Sequence, residues 1–201
     1  MKEKILHTAT DMFLNIGFKS VTMDDIADKM AISKKTIYTY YKNKQTLIEA
    51  SVYSVFEMIT KGINQICILD NNPIAELFII KDFVLKNLKN EKTSPIFQLK
   101  KYYPKLYAQL QKKQLEVMQD CVNQNIEKGI KQGLFTKDLN IDFISRIYFS
   151  GINVIKDDDL FPKENTSMEQ LMNEFLNYHI RAIATEKGIG ELKKQIKTKS
   201  L

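Results

Sequence analysis

Apolar residues recur every three or four positions along almost the whole chain, and most of the rare glycines and prolines stand near the ends of these runs. The 201 residues include 7 glycines and 4 prolines, so few positions can interrupt a helix. A spacing of three to four residues places apolar side chains on one face of an α-helix. The sequence therefore predicts an all-α fold.

Three helices are expected in the first 41 residues, because three capping signals divide this stretch. The first helix ends at Gly17, and Thr22 and Ser33 each begin another, since their hydroxyls can accept from free N–H groups at a helix start. Three short helices cannot bury a large core alone. They need the start of a fourth, long helix, expected from about Lys44 to Ile66.

The remainder of the chain predicts longer helices. They are expected at 74–89, 95–103, 104–133 and 141–155, and from Thr166 or Ser167 to Gly188. A lysine-rich end, expected to be frayed, follows. We divide the chain into an N-terminal three-helix domain (residues 1–60), a larger helical domain (61–190) and a C-terminal tail (191–201).

Composition narrows the range of functions. Net charge is +6, which allows an anionic partner without requiring one. No apolar run approaches the length of a membrane span, and residues 1–13 lack the uninterrupted apolar stretch of a signal peptide, so neither feature is expected. The two cysteines, Cys67 and Cys121, are expected to be buried reduced thiols, as in a cytoplasmic protein.

Catalytic and metal-site patterns are missing from the sequence. It has two histidines, no glycine-rich phosphate loop and no Cys/His cluster, so we expect no enzyme activity, cofactor or metal. Asp157, Asp158 and Asp159 are adjacent, but no second set of ligands accompanies them. A solvated loop is therefore expected there.

The segment SKKTIYTYYKNKQTL, Ser33 to Leu47, has an unusual composition for a helix. Ile37 and Tyr41 are its candidates for burial, which leaves the other faces for a partner. Lysines at the helix start favour an anion there, and threonine methyls and tyrosine hydroxyls suit thymine methyls and phosphates. Two short helices joined by a three-residue turn are typical of a helix-turn-helix DNA-binding unit.

Residues 17–50 resemble the DNA-binding module of the TetR family of bacterial transcriptional repressors. The matching residues are Gly17, Phe18, Thr22, Ile26, Ala27, Ser33, Thr36, Tyr38, Tyr40, Tyr41, Lys44 and Leu47. The resemblance implies DNA contacts by Thr22, Ser33, Lys34, Lys35, Thr36, Tyr38, Thr39, Tyr40 and Lys44. Ala31 stands where the family usually has glycine, and Tyr41 where it has phenylalanine.

The resemblance also implies a homodimer that binds a palindromic double-stranded operator and is released by a small, largely apolar inducer. The implied inducer pocket is lined by Phe78, Phe83, Phe97, Tyr103, Tyr107, Met118, Tyr148 and Phe149, although each could equally belong to the core. The implied dimer interface contains Ile144, Tyr148, Gly151, Ile152, Ile155, Met168, Met172, Phe175 and His179. Gly151 would allow the partner helix to approach closely.

Two other functions remain open from the sequence. One is a dimer without a ligand that organises or masks DNA, and the other is a helical carrier of apolar ligands. Combined replacement of Lys34, Tyr40 and Lys44 by alanine tests the carrier. DNA binding that the three changes leave unaffected would favour it, because a carrier's affinity for DNA would not depend on these side chains.

Overall fold

The computed structural model describes residues 1–69, 71–88, 95–157, 159–162, 164 and 166–198. Within these ranges every regular element is a helix, which confirms the all-α prediction. The predicted break at 90–94, Asp158 of the acidic loop and the last three residues of the tail lie outside the described residues.

Ten helices occur in the described ranges. They are α1 (Lys2–Ile16), α2 (Met23–Met30), α3 (Lys34–Tyr40), α4 (Lys44–Ile68), α5 (Pro73–Leu88), α6 (Pro95–Tyr102), α7 (Pro104–Lys131), α8 (Ile141–Val154), α9 (Met168–Ile183) and α10 (Glu186–Thr198).

The chain forms two compact units. The first comprises Met1–Lys61 and Lys86–Lys113, and the second comprises Gly62–Leu85 and Gln114–Leu201. Both α4 and α7 begin in the first unit and end in the second. We refer to them as the DNA-reading unit and the C-terminal unit.

The core of the DNA-reading unit joins the three N-terminal helices to later parts of the chain. Ile5, Phe13, Ile26 and Ile37 are among its fully buried residues, and Leu99 of α6 packs into the same cluster. The aromatic rings of Phe18 and Tyr103 also meet here, with centroids 6.3 Å apart. The three-helix head is thus completed by α4, as predicted, and also by α6 and the start of α7.

The core of the C-terminal unit is built by α5, α7, α8, α9 and α10. Its buried residues include Ile74, Leu77, Phe78, Val122, Ile126, Leu134, Phe135, Tyr148, Leu176, Ile180, Ile183 and Leu192. A short antiparallel bridge joins Phe135 to Ala184. This bridge ties the connector between α7 and α8 to the end of α9.

Two predictions about the end of the chain are wrong for the described residues: that the last helix runs to Gly188, and that the lysine-rich segment after it is frayed. The chain leaves the helix at Ala184, and residues 186–198 form a separate helix, α10. Thr185 explains the break, because its hydroxyl donates to the carbonyl of Gly133 (2.7 Å) and accepts from the N–H of Gly188 (3.2 Å). Leu192 is fully buried, so apolar packing holds the lysine-rich segment in helical form.

Candidate nucleic-acid interface

Thr22 and Asp25 form a reciprocal cap at the start of α2. The Thr22 hydroxyl accepts from the Asp25 backbone N–H (3.1 Å), while the Asp25 carboxylate accepts from the Thr22 backbone N–H (2.7 Å). These bonds from Thr22 hold the pKa of Asp25 below its usual value, and Lys44 adds a smaller attraction. The Thr22 hydroxyl also donates to Asp25 (2.8 Å), so a phosphate at this helix start would have to share it.

The turn between α2 and α3 is closed by two local devices. Ala31 adopts the left-handed region at φ 52°, where its N–H can reach the carbonyls of Ala27 and Asp28. Ser33 caps α3 by accepting from the Thr36 N–H (3.1 Å), as predicted. Both devices act within a few residues, and the Ser33 cap could therefore be predicted from the sequence around it.

Helix α3 buries one of its seven residues, Ile37, in the core of the DNA-reading unit. Tyr38 and Tyr40 remain 43% and 41% exposed. Lys34, Lys35 and Thr39 are also exposed. A seven-residue helix with a single buried anchor leaves most of its surface exposed to solvent.

The hydroxyls of this surface are partly engaged within the helix. Ser33 Oγ lies 2.8 Å from Thr36 Oγ1, and Thr39 Oγ1 donates to the Lys35 carbonyl at 3.1 Å. Their methyl and methylene groups stay available for apolar contacts. This arrangement suits contacts to thymine methyls and to phosphates that accept from the remaining donors.

Two lysines of the predicted interface have partners within the unit. Lys34 Nζ lies 2.7 Å from Asp24 Oδ2, and this hydrogen bond holds the pKa of Lys34 above its usual value. Lys44 Nζ donates to the Lys19 carbonyl at 3.3 Å. Burial lowers the pKa of Lys44, and attraction to Asp25 opposes that shift.

Tyr41, which follows α3, is buried as predicted. Its hydroxyl is directed at the Lys2 carbonyl at 3.5 Å, the far limit of a hydrogen bond, and the Lys2 ammonium lies 5.9 Å from the ring centroid. Burial raises the pKa of Tyr41. The ring therefore anchors the end of α3 to the beginning of α1.

The residues predicted to line a pocket divide between the two units. Phe97, Tyr103 and Tyr107 belong to the DNA-reading unit, where Phe97 is exposed and the tyrosines pack against the core. Phe78, Phe83, Met118, Tyr148 and Phe149 belong to the C-terminal unit. Of these, Phe78 and Tyr148 are buried in its core and the other three are half-buried.

The residues predicted for a dimer interface lie largely between α8 and α9 of the same chain. Tyr148 packs on Phe175 and His179, with centroids 5.6 and 4.9 Å away. Gly151 also faces Phe175, since a Cβ at that position would overlap the ring. Ile155, Met172 and His179 are buried, and Ile144, Ile152 and Met168 are half-buried.

Other apolar side chains on these two helices are exposed, and the predicted interface does not include them. Phe143, Ile147 and Val154 are 57%, 45% and 45% exposed on α8, and Tyr178 is 72% exposed on α9. The α8 residues share one side of the helix because they are four and seven positions apart. The spacing of the three α8 residues could have indicated this exposed side from the sequence. We call these three residues, together with Tyr178 of α9, the outer α8–α9 face.

The described parts of the chain contain neither a metal-binding cluster nor a membrane-spanning helix. There, no group of three or more His, Cys, Asp or Glu residues is arranged to hold a metal ion. Nor is any helix in those ranges both long and apolar enough to cross a bilayer. In the acidic loop, the Asp159 N–H donates to the Asp157 carboxylate at 3.0 Å.

Residues 5–51 match the family model described as bacterial regulatory proteins, tetR family. The chain is 28% identical over 152 residues to the uncharacterized HTH-type transcriptional regulator YdeS of Bacillus subtilis, a match covering 69% of each chain. It is 27% identical over 110 residues to IcaR of Staphylococcus aureus, the HTH-type negative transcriptional regulator of the biofilm operon icaADBC. That match spans 55% of this chain and about half (53%) of IcaR.

The fold matches solved structures over nearly the whole chain. Thermus thermophilus FadR, a TetR-family transcriptional repressor in complex with lauroyl-CoA, aligns with a TM-score of 0.59. The alignment covers 90% of this chain and 93% of FadR at 14% sequence identity. At that identity the likeness extends to the fold alone.

Proposed function

Because the chain belongs to the TetR family of bacterial transcriptional regulators, we propose that it is a cytoplasmic homodimeric repressor that leaves a palindromic operator when a small apolar molecule binds. The observation that carries this proposal is α3. It is capped at Ser33 and anchored by Ile37, and it exposes Lys34, Lys35, Tyr38, Thr39 and Tyr40 together.

The direct DNA contacts are proposed to follow from this exposure. Lys34 and Lys35 reach phosphates near the start of α3, while Thr36 and Thr39 present methyls to thymine. Tyr38 and Tyr40 contact the backbone or base edges. Ser33, Thr22 and Lys44 add backbone contacts at the helix starts. No arginine precedes Arg146, so the bidentate arginine–guanine contact is not available to the head.

The outer α8–α9 face supports a dimer. Three large apolar side chains on α8 and one on α9 are exposed in the single chain, and burying such a patch against its own copy removes it from water. A two-fold axis would place two copies of α3 in successive major grooves, about 34–36 Å apart. An operator with two inverted half-sites at that spacing follows from this arrangement.

An apolar effector is supported by two features. FadR, which shares the fold, is in complex with lauroyl-CoA. In the C-terminal unit of this chain, Phe83, Met118 and Phe149 are half-buried, so their side chains retain surface for a ligand. Such a ligand alters DNA binding only through different affinities for the two conformations.

A ligandless DNA-binding dimer is the second candidate, favoured by the burial of Phe78 and Tyr148 in the core. Thermal unfolding with a panel of fatty acids, acyl thioesters and aromatic compounds separates the two. A compound that raises the unfolding temperature and releases DNA supports the effector. No stabilisation by any member favours the ligandless dimer, whereas stabilisation without DNA release would show that the bound compound is not an inducer.

The proposed function is tested by selecting duplexes from a random library with the reduced full-length protein, followed by footprinting. We expect an inverted repeat with half-sites one helical turn apart and a protein stoichiometry of one dimer per site. Selection of a sequence without two-fold symmetry, or failure to retain any duplex at about 0.1 M salt, would overturn it.

A further inference from the structure

The two cysteines of the chain meet in the C-terminal unit. Cys67 lies in the last turn of α4 and Cys121 in the middle of α7, and their Sγ atoms are 3.1 Å apart. They are 54 positions apart in sequence, so their proximity is a product of tertiary packing. The sequence predicted two separate buried thiols, and their contact was not foreseen.

We infer that Cys67 and Cys121 are a redox modification site, which a small disulfide oxidant converts to an intrachain disulfide. A disulfide bond is about 2.0 Å long, so the sulfurs need to approach by about 1 Å. Both residues are half-buried, which leaves a route for a small oxidant. Disulfides in reducing compartments are usually transient and redox-sensing.

The surroundings favour one thiolate in the pair. The hydrogen bond between the two sulfurs lowers the pKa of Cys67, while burial and the charge of Glu76 oppose this and Lys128 assists it. The same hydrogen bond, together with burial, raises the pKa of Cys121. Cys67 is therefore the attacking sulfur, since exchange requires a thiolate.

Lys128 and Glu76 hold fixed positions near the pair. Glu76 is buried and accepts from Asn125 Nδ2 at 2.7 Å, and its other oxygen lies 3.7 Å from Lys128 Nζ. Asn125 also donates to the Pro73 carbonyl at 2.9 Å. This network ties α5 to α7 one helical turn from Cys121, so it holds the helix that carries Cys121 in place.

The reaction balances with a small disulfide as oxidant. The Cys67 thiolate attacks one sulfur of the oxidant, which forms a mixed disulfide and releases one small thiolate. Cys121 then loses its proton and attacks the Cys67 sulfur, which forms the Cys67–Cys121 bond and releases the second small thiolate. The two protein thiols lose two electrons and two protons, and the oxidant is reduced to two thiols.

The consequence for DNA binding rests on the proposed function. Helix α4 begins in the DNA-reading unit and ends beside Cys67, so a bond from Cys67 to α7 restricts the end of that helix. In a reducing cytoplasm the dithiol is the resting state, and a repressor at rest holds its operator. Oxidation is therefore expected to weaken operator binding, by about tenfold if it follows the usual range of allosteric coupling.

The chemistry is tested with oxidised glutathione on the reduced full-length protein, followed by intact mass, thiol counting and non-reducing electrophoresis. We expect both thiols to disappear together, with loss of two hydrogens per chain and no link between chains. In Cys121→Ser the glutathione adduct on Cys67 should persist, whereas Cys67→Ser should react slowly. Interchain cross-links, or two thiols that remain after prolonged treatment, would overturn the site.

The regulatory consequence is tested on the duplex selected by the reduced protein. Its affinity should fall about tenfold on oxidation, return with dithiothreitol and stay constant in the Cys67→Ser/Cys121→Ser double variant. Complete disulfide formation with unchanged affinity would overturn the regulation. If reduced protein selected no duplex at all, the proposed function would fail, while the mass measurement would still decide the thiol chemistry.

Discussion

The ammonium of Lys34 lies 2.7 Å from the carboxylate of Asp24, although the two residues are ten positions apart and on different helices. A cation expected to meet phosphate therefore has a carboxylate partner in the free protein. Both side chains are substantially exposed, so the pair is weak enough to exchange for DNA. The carboxylate positions Lys34 in the free protein, and its negative charge would oppose the approach of a phosphate.

Replacing Asp24 with asparagine should increase DNA affinity roughly two- to fivefold, because it removes a negative charge that competes with phosphate for Lys34. Titration of a labelled operator duplex at fixed salt measures this. Asp28→Asn, an equal change of charge at an exposed site on the same helix, is the control. An equal gain in both variants would assign the effect to net charge instead of the Lys34 pair.

Loss of Lys34 and Lys35 together should flatten the salt dependence of DNA binding. Each phosphate contact removed lowers the slope of log K against log salt by about 0.9, so the double alanine variant should lose about 1.8 per chain. The control is Lys193→Ala/Lys197→Ala, which removes two exposed lysines of α10. Equal flattening in the control would show that the charge of α3 has no special role.

Ile147→Asp should convert the dimer to a monomer, because it places a charge in the centre of the outer α8–α9 face. Affinity for the full operator should then fall by roughly 100-fold, since two linked heads bind far more tightly than one. Sedimentation velocity and DNA titration give both values. Ile79→Asp, a change at an exposed isoleucine of α5, should remain dimeric, and a dimeric Ile147→Asp would disprove the proposed interface.

Ala31→Gly should stabilise the protein. The residue sits at φ 52°, where a Cβ is strained and glycine is not, so the gain is about 1 kcal/mol, or about 2–4 °C in unfolding temperature. Ala50→Gly in the interior of α4 should lower stability by a similar amount. Thermal denaturation monitored by circular dichroism measures both changes. A lower unfolding temperature in Ala31→Gly would show that alanine is not strained at this position.

His179 should make stability fall in mild acid. Burial lowers its pKa from 6.5 to about 4, so the folded state binds fewer protons than the unfolded state between these values. The contribution of neutral His179 to the free energy of unfolding is complete above pH 6.5. It is lost as the pH falls towards 4, which lowers that free energy by up to about 3 kcal/mol.

Denaturant unfolding of His179→Gln across that pH interval tests the role of this histidine. The variant should have a flatter dependence of unfolding free energy on pH, whatever its absolute stability. His7→Gln, at an exposed histidine of α1, is the matched control. A wild-type slope in His179→Gln would show that another group titrates.

Much of the DNA-reading head could be predicted because its signals are local. The Thr22 and Ser33 caps bond to backbone three residues away, and Ile37 is the apolar residue that α3 can bury. The exposure of Tyr38 and Tyr40 then follows from helix geometry. Helix α10 was not predicted because contacts distant in sequence hold it: Leu192 is buried in the core of the C-terminal unit, and the Thr185 hydroxyl donates to the chain 52 positions earlier.

The two faces of α8 show where periodicity becomes ambiguous. Ile147 and Tyr148 are neighbours and both are apolar, yet the first is exposed and the second is buried against Phe175 and His179. An amphipathic pattern identifies a helix, but a helix that is apolar on two sides does not reveal which side meets its own chain. The predicted interface residues were therefore drawn largely from the inward face.

The helical class and most helix ends follow from the amino-acid sequence alone, as does the mixture of side chains on the reading helix, because caps and helical periodicity act over three or four residues. The tertiary structure decided which side of α8 stays exposed, that Lys34 meets Asp24, and that the sulfurs of Cys67 and Cys121 touch. Those relationships join residues on different helices. They depend on how helices pack, and local periodicity carries no information about that packing.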